Sequence, residues 1–381
     1  MTLSQSTERT LAGLRVDLVG SFLRPDALKN AFVAFERGEI DHVALRTVQD
    51  LAIRRLIETE EAHGLPLVTD GEFRRVNFQQ SFYDVAGFAW SGAWIASQRA
   101  GRDEGPGFTP SLMARQRATE PLRLAGNQVL TEYTAAALFT DRPVKITLIG
   151  PDRIAQSYDE PGSRDVYRNV DEFVDGVVAV QRTMIEELRD AGCRYVQIDE
   201  PSYTAYVDER SIADMRERGQ DPAQNLARSI RADNAIVRAF PEMTFGIHLC
   251  RGNRQSHWHR EGSYDAIAEQ LFNSLDHDRF LLEYDTERAG SFEPLRFVPK
   301  GKMVVLGLIT TKTGEIESLD ALQRRIDEAS RFCPIDQLAL SPQCGFASSL
   351  AGNRLSETDQ WRKIDVMLEA AARIWGAAAA V

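Results

Sequence analysis

His248-Leu249-Cys250 sets an imidazole and a thiol two residues apart. The apolar run before it, residues 243–247, has the composition of a strand. Side chains alternate along a strand, so two positions of the same parity leave its end on the same side. His and Cys placed this way are two ligands within reach of one metal ion. Cys344, in Pro342-Gln343-Cys344-Gly345, also follows an apolar run, and Glu283 directly follows Phe280-Leu281-Leu282. Two thiolates, an imidazole and a carboxylate form a donor set that zinc accepts in tetrahedral geometry, and the soft sulfurs argue against magnesium or calcium. A structural zinc site usually has tight local spacing. These candidates come from separate strands, which points to a catalytic ion holding a substrate thiol as its reactive thiolate.

Each residue also has a plainer explanation. Cys250 and Cys344 could be small buried hydrophobes. His248 could be a hydrogen-bonded structural histidine, and Glu283 the first exposed residue of a loop. Three more polar residues lie in similar positions: Ser21 in Gly20-Ser21-Phe22, Glu72 in Gly71-Glu72-Phe73-Arg74-Arg75, and Asp199 in Ile198-Asp199-Glu200-Pro201. Alone, Glu72 reads as a surface ion pair with its arginines, which contributes little. Alone, Asp199-Glu200 reads as a turn or a helix cap. One shared site accounts for the set more simply than separate explanations do.

The elements that would position these residues alternate. Strand-like runs fall at residues 15–19, 65–69, 144–149, 194–198, 243–247, 280–282, 302–306 and 337–340. Helical spacing covers 44–63, 170–191, 225–240, 264–275, 319–332 and 358–376, with Val48, Leu51, Leu56 and Ile57 expected on one face of the first. Eight strand units, most followed by a helix, imply a single α/β domain, a (β/α)8 TIM barrel spanning residues 1–381. Barrel enzymes carry their active sites at the C-terminal ends of the strands, where every candidate above falls. Residues 87–141 break the rhythm and read as an insertion after the second strand. Within it, residues 121–130 resemble a hairpin with Gly126-Asn127 at its turn. Residues 251–254 and 257–259 follow the His248 strand. They read as a solvated loop or, alternatively, as a contact for substrate. The alanines at 377–380 read as a frayed end.

Composition narrows the function classes. A formal net charge of −11 opposes a nucleic-acid-binding surface. No apolar run reaches the ~20 residues needed to span a membrane, and the polar first ten residues lack a signal-peptide core, so a cytoplasmic location is expected. Four cysteines in 381 residues are too few for a disulfide framework.

Taken in order, Gly20-Ser21-Phe22, Gly71-Glu72-Phe73-Arg74-Arg75, Ile198-Asp199-Glu200-Pro201, His248-Leu249-Cys250, Glu283 and Pro342-Gln343-Cys344-Gly345 resemble the C-terminal catalytic barrel of cobalamin-independent methionine synthase. The resemblance runs from about residue 16 to 376 and is to the short, single-barrel relatives, without the long N-terminal barrel. It implies methyl transfer from 5-methyltetrahydrofolate to the zinc-bound thiolate of homocysteine. Carried over, His248, Cys250, Glu283 and Cys344 would bind Zn2+, with Glu287 a rival to Glu283 under a shifted alignment. Ser21, Glu72 and Asp199 would hold the amino-acid part of homocysteine. One segment departs from the family. Where full-length members have Asp-Ile-His-Ser-Pro, with the histidine associated with protonating the leaving folate, this chain has Thr310-Thr311-Lys312-Thr313-Gly314. A tertiary amine leaves poorly unless protonated, so Lys312 joins Asp199 as a catalytic candidate, serving as acid only with a depressed pKa. The substitution leaves room for another donor, such as a methyl-corrinoid protein, and for a protein that binds zinc and thiol without turnover.

Overall fold

The computed structural model describes residue 11, residues 13–88 and residues 116–376. Its strands, in chain order, are β1 (Val85–Phe88), β2 (Ala118–Leu124), β3 (Lys145–Ile149), β4 (Tyr195–Asp199), β5 (Thr244–Leu249), β6 (Arg279–Glu283), β7 (Met303–Ile309) and β8 (Leu338–Pro342). From β3 to β8 each strand pairs with the next in parallel. Every residue of β3, β4, β6 and β8 is buried. Helices cover the outer face and side chains fill the inner one, so these strands read as apolar runs without strict alternation. The helices Val170–Asp190, Pro222–Val237, Asp265–Ser274, Leu319–Ala329 and Glu357–Trp375 follow β3, β4, β5, β7 and β8.

The first two expected strands survive only as isolated parallel bridges, Val16 with Leu340, Ser21 with Gly71, and Val68 with Val144. Asp17 N donates to Leu340 O at 2.9 Å, Phe22 N to Gly71 O at 3.2 Å, and Lys145 N to Val68 O at 2.9 Å. Residues 15–22 therefore lie between β8 and residues 67–71, which in turn lie against β3, as a (β/α)8 arrangement requires. Their ladders are short for local reasons. Gly20 turns the chain at φ +135°, and Pro66 has no N–H to give. Gly345 matters where the circuit passes the strand ends, because a Cβ there would sit 1.9 Å from Ser21 Oγ.

Two local expectations need correcting. Residues 121–130 are not a hairpin. β2 pairs antiparallel with the upstream β1, and Asn127 caps the Gln128–Ala137 helix by accepting from Leu130 N at 3.2 Å. Asn after Gly suits a turn and an N-cap equally, and the buried helix face decided it. In the His42–Ala62 helix the buried stripe is Leu45, Gln49, Ala52, Ile53, Leu56, Ile57 and Glu60, while Leu51 is 54% exposed. Leu51 falls between the three- and four-residue steps that define that stripe. The regular Gln128–Ala137 helix also narrows the expected 87–141 insertion, much of which lies outside the described residues, as does the 377–380 tail. Among the described residues no helix is long and apolar enough to cross a membrane.

Inside the circuit, away from the candidate ligands, sits a buried ionic group. Asp17 Oδ1 accepts from Lys145 Nζ at 2.7 Å, and Asp17 Oδ2 accepts from Tyr195 OH at 2.7 Å and Arg279 Nε at 2.9 Å. Burial alone would raise the Asp17 pKa, but Lys145 and Arg279 outweigh it and hold the carboxyl below its usual range. Arg279 also donates to Leu14 O at 3.1 Å, so the group ties the chain's start to three strands. Asp17→Ala would leave two buried cations without their anion. It is expected to cost about 3–5 kcal/mol, read as a lowered urea midpoint at unchanged slope; a cost under about 1 kcal/mol would show that the pair adds nothing to the fold.

Candidate metal and substrate site

Period-two alternation decides which residues reach the mouth. On β4, Tyr195, Gln197 and Asp199 share one face; on β6, Arg279, Leu281 and Glu283 do. The first of each triplet belongs to the ionic group and the last lies at the strand end. β5 delivers His248 beside Asp199, its register partner. Cys250 comes just past β5, and Cys344 just past β8.

His248, Cys250 and Cys344 come together with their ligand atoms all within 4.8 Å of one another, and all three are buried. Cys250 Sγ and Cys344 Sγ are 3.4 Å apart. Both are free thiols. His248 Nδ1 faces Leu281 O at 3.3 Å, while its Nε2 is buried without a partner. With Nδ1–H turned to the carbonyl, the Nε2 lone pair is left facing outward, the arrangement usual for a metal-binding histidine. An orphaned imidazole nitrogen and two thiols in mutual reach fit a zinc ion well.

The sulfurs are unlike each other. The hydrogen bond from Cys344 lowers the Cys250 pKa to about 5 against the opposing effect of burial, with His248 adding to the drop. The same hydrogen bond, with burial, pushes Cys344 well up. The pair therefore behaves as one thiolate holding one proton. His248 is raised; burial opposes this, but the neighbouring Cys250, then the charges of Asp199 and Glu283, outweigh it.

Glu283 lies beside this trio but outside the set that meets within 4.8 Å. Its Oε2 accepts from Arg251 N at 2.7 Å and its Oε1 from Arg288 Nη2 at 2.7 Å, with Lys312 Nζ 3.8 Å away. Burial would raise its pKa, but Lys312, Arg251 and Arg288 bring it down to about 2. The rival Glu287 is exposed at the start of a 3-10 turn. Lys312 is buried and its Nζ has no hydrogen-bond partner.

The other candidates line the adjoining part of the mouth, with Asp199 the register partner of His248. Glu72 is buried at φ +57°, a conformation that L residues hold only when their surroundings impose it. Arg24 imposes it, donating to Glu72 O and Arg75 O at 2.9 Å each. Glu72 Oε1 accepts from Thr147 Oγ1 at 3.0 Å, while Oε2 is buried without a partner. Asp199 accepts from Gln197 Nε2 at 2.7 Å, and burial pushes its pKa up to about 7. Ser21 is buried on the bridge to Gly71. A buried carboxylate oxygen without a partner, such as Glu72 Oε2, suits an ammonium group from a ligand.

Several residues here escape a reading by motif. Arg75 is fully buried and grips Glu132 with Nε at 2.9 Å and Nη2 at 2.5 Å, and its Nη1 lies 3.8 Å from Glu72 Oε1, so the Glu72–Arg75 ion pair exists but is buried and not on the surface. Glu132 lies far away in sequence and only the fold pairs it. The segment after β5 is solvated only in part: residues 251–253 are buried and 254–260 half-buried. Arg251 is 0% exposed, donates to Glu283 O at 2.9 Å and stacks over the Tyr264 ring at 4.4 Å. Asn253 Nδ2 donates to Gly345 O at 2.7 Å and ties the β5 and β8 loops together. An arginine next to a strand-end cysteine was the available signal for Arg251; Asn253 gave none.

The thiol pKa values carry a prediction for metal-free protein. A lowered pKa means that Cys250 is thiolate at every pH above about 5. Iodoacetamide labelling followed by mass spectrometry should mark Cys250 first, with a rate that rises through pH 5 and is flat by pH 7. Cys193 and Cys333, pushed by burial up to about 12, should stay unlabelled. Equal labelling of all four would refute the asymmetry.

Comparison with known proteins follows the same lines. Residues 15–372 match the family model described as cobalamin-independent synthase, catalytic domain. The uncharacterized protein YxjG of Bacillus subtilis (strain 168) is 35% identical over 387 residues, covering 97% of each chain. A methionine synthase of Pyrococcus abyssi is 24% identical over 338 residues, covering 87% of this chain and 86% of its own. The crystal structure of a putative vitamin-B12 independent methionine synthase from Listeria monocytogenes superposes with a TM-score of 0.74 at 28% identity, covering 95% of this chain and 98% of the other. The chain belongs to the cobalamin-independent methionine synthase family, as a version of its catalytic domain.

Proposed function

We propose that this protein is a zinc-dependent methyltransferase that methylates the thiol of homocysteine, giving methionine, with 5-methyltetrahydrofolate as donor. The observation that carries the reading is the pairing of two unlike subsites at one barrel mouth. His248, Cys250 and Cys344 meet around a point suited to a soft ion. Beside them lie the buried carboxylates of Asp199 and Glu72, with Glu72 Oε2 unpartnered and the Asp199 pKa pushed up to about 7. A thiol and an ammonium on one small molecule satisfy both.

His248, Cys250 and Cys344 would hold the zinc, with Glu283 as the fourth ligand. Bound there, zinc supplies a Lewis acid that lowers the pKa of a substrate thiol so that it reacts as thiolate at neutral pH. Arg251 and Arg288 keep Glu283 ionised and aimed, through the two 2.7 Å hydrogen bonds. Glu72 and Asp199 clasp the homocysteine ammonium, and Ser21 receives the rest of its amino-acid portion. That grip converts a bimolecular encounter into an oriented one, with the sulfur in line with the methyl carbon. The sulfur–carbon bond forms as the carbon–nitrogen bond of the donor breaks, and the leaving nitrogen takes a proton. Lys312 Nζ is the candidate to give it. Its position 3.8 Å from Glu283 also favours a second reading, in which Lys312 serves the metal side and the donor is another methylated compound, such as a methyl-corrinoid protein.

Purified protein with zinc, L-homocysteine and 5-methyltetrahydrofolate should yield methionine and tetrahydrofolate in equal amounts. Chelation should abolish transfer and zinc should restore it. Cys344→Ser should lose both bound zinc and at least about a hundredfold in rate, since removing a ligand or its support costs at least 10–100-fold. Full activity in metal-free protein would overturn the reading. Turnover only with a corrinoid donor would establish the second reading, and stoichiometric zinc and thiol binding without transfer would identify a binding protein.

A further inference from the structure

The ionic group inside the barrel and the mouth are joined. Lys145 Nζ, held by Asp17 Oδ1 at 2.7 Å, donates to Gln197 Oε1 at 2.8 Å. Gln197 Nε2 donates to Asp199 Oδ1 at 2.7 Å and to Val19 O at 2.7 Å. Gln197 is 0% exposed and Lys145 1% exposed. The line therefore runs from Tyr195 and Arg279 through Asp17, Lys145 and Gln197 to the carboxylate at the strand end.

The chemistry of the line fixes its direction. An ammonium only donates, so the Gln197 oxygen must face Lys145. The amide nitrogen is then turned to Asp199, and it too only donates. Asp199 Oδ1 can meet it only as an acceptor. Val19 O, another pure acceptor, takes the second amide hydrogen and blocks the flipped orientation. Hydrogen bonding to its ionised form favours a carboxylate, and the grip leaves the other oxygen, Oδ2, for a ligand.

We propose that Gln197, oriented by Lys145, is the positioning residue that holds Asp199 as an aimed carboxylate acceptor, and so sets recognition of the ammonium group of an amino-acid thiol. The proposal rests on the functional reading above only in taking a thiol amino acid as the ligand. It does not require methyl transfer.

The test compares two probes on zinc-loaded protein by calorimetry: L-homocysteine, and 4-mercaptobutyrate, which lacks the ammonium. Wild type should prefer homocysteine by at least about tenfold, the scale of one hydrogen bond to a charged group. Gln197→Met should weaken homocysteine about tenfold and leave 4-mercaptobutyrate and zinc content unchanged. Gln197→Glu keeps the shape but sets an acceptor against Asp199, and should lose the same preference. In an Asp199→Asn background, Gln197→Met should add little, because a residue acting through another loses its effect once that other is removed. If transfer is measurable, KM for homocysteine should rise in both single variants while kcat stays nearly constant. Equal binding of the two probes by wild type, an undiminished effect of Gln197→Met without Asp199, or loss of folding in both single variants would each overturn the proposal. Absence of methyl transfer with the preference intact would overturn the functional reading alone.

Discussion

Asp17 is buried with one carboxylate oxygen on Lys145 and the other on Tyr195 and Arg279. Charges so far from water are tolerable only when each finds its complement. The arrangement takes residues from the chain's first segment, β3, β4 and β6, and holds them in one relative position. The same strands carry Thr147, Asp199 and Glu283 two or four residues further on, at the mouth. Strand period transmits the placement upward, so the alignment of the reactive end is set in part at the other end of the barrel.

At the mouth two kinds of electrostatic environment lie side by side. Around Glu283 cations are in excess, from Arg251, Arg288 and Lys312, and its pKa falls to about 2. Around Asp199 burial dominates, and its pKa rises to about 7. Carboxylates separated this way take different tasks, as environments that push pKa values apart often assign roles in active sites. One stays an anion whatever binds; the other becomes a better anion when a cation arrives.

Much of this was legible in the sequence, and for a stated reason. Parallel strands buried on both faces give apolar runs, and the polar residue ending such a run stands out. His248, Cys250, Glu283, Asp199 and Cys344 were found that way. Ser21 and Glu72 were visible as polar residues in glycine-containing turns. The first two strands were read as regular although Gly20 and Pro66 reduce them to bridges, since apolar composition reports burial and not ladder length. Glu132 was invisible as the partner of Arg75 because no local pattern links a mid-helix glutamate to an arginine that distant in sequence. Gln197 looked like an ordinary strand residue. Its importance lies in which side of its amide faces which neighbour, a property that only three-dimensional contacts define. The arginines and histidines of the loop after β5 suggest water, whereas Arg251 spends its donors on backbone carbonyls.

Glu72 combines a left-handed backbone with a buried carboxylate, held in place by the clamp of Arg24 on its carbonyl. Glycine would adopt that backbone without strain, at the loss of the carboxylate. The position therefore sets stability against function: glycine relaxes the turn, and the same substitution empties the site of one anion. Residue 72 is where selection for a sturdier fold and selection for amino-acid recognition pull in opposite directions.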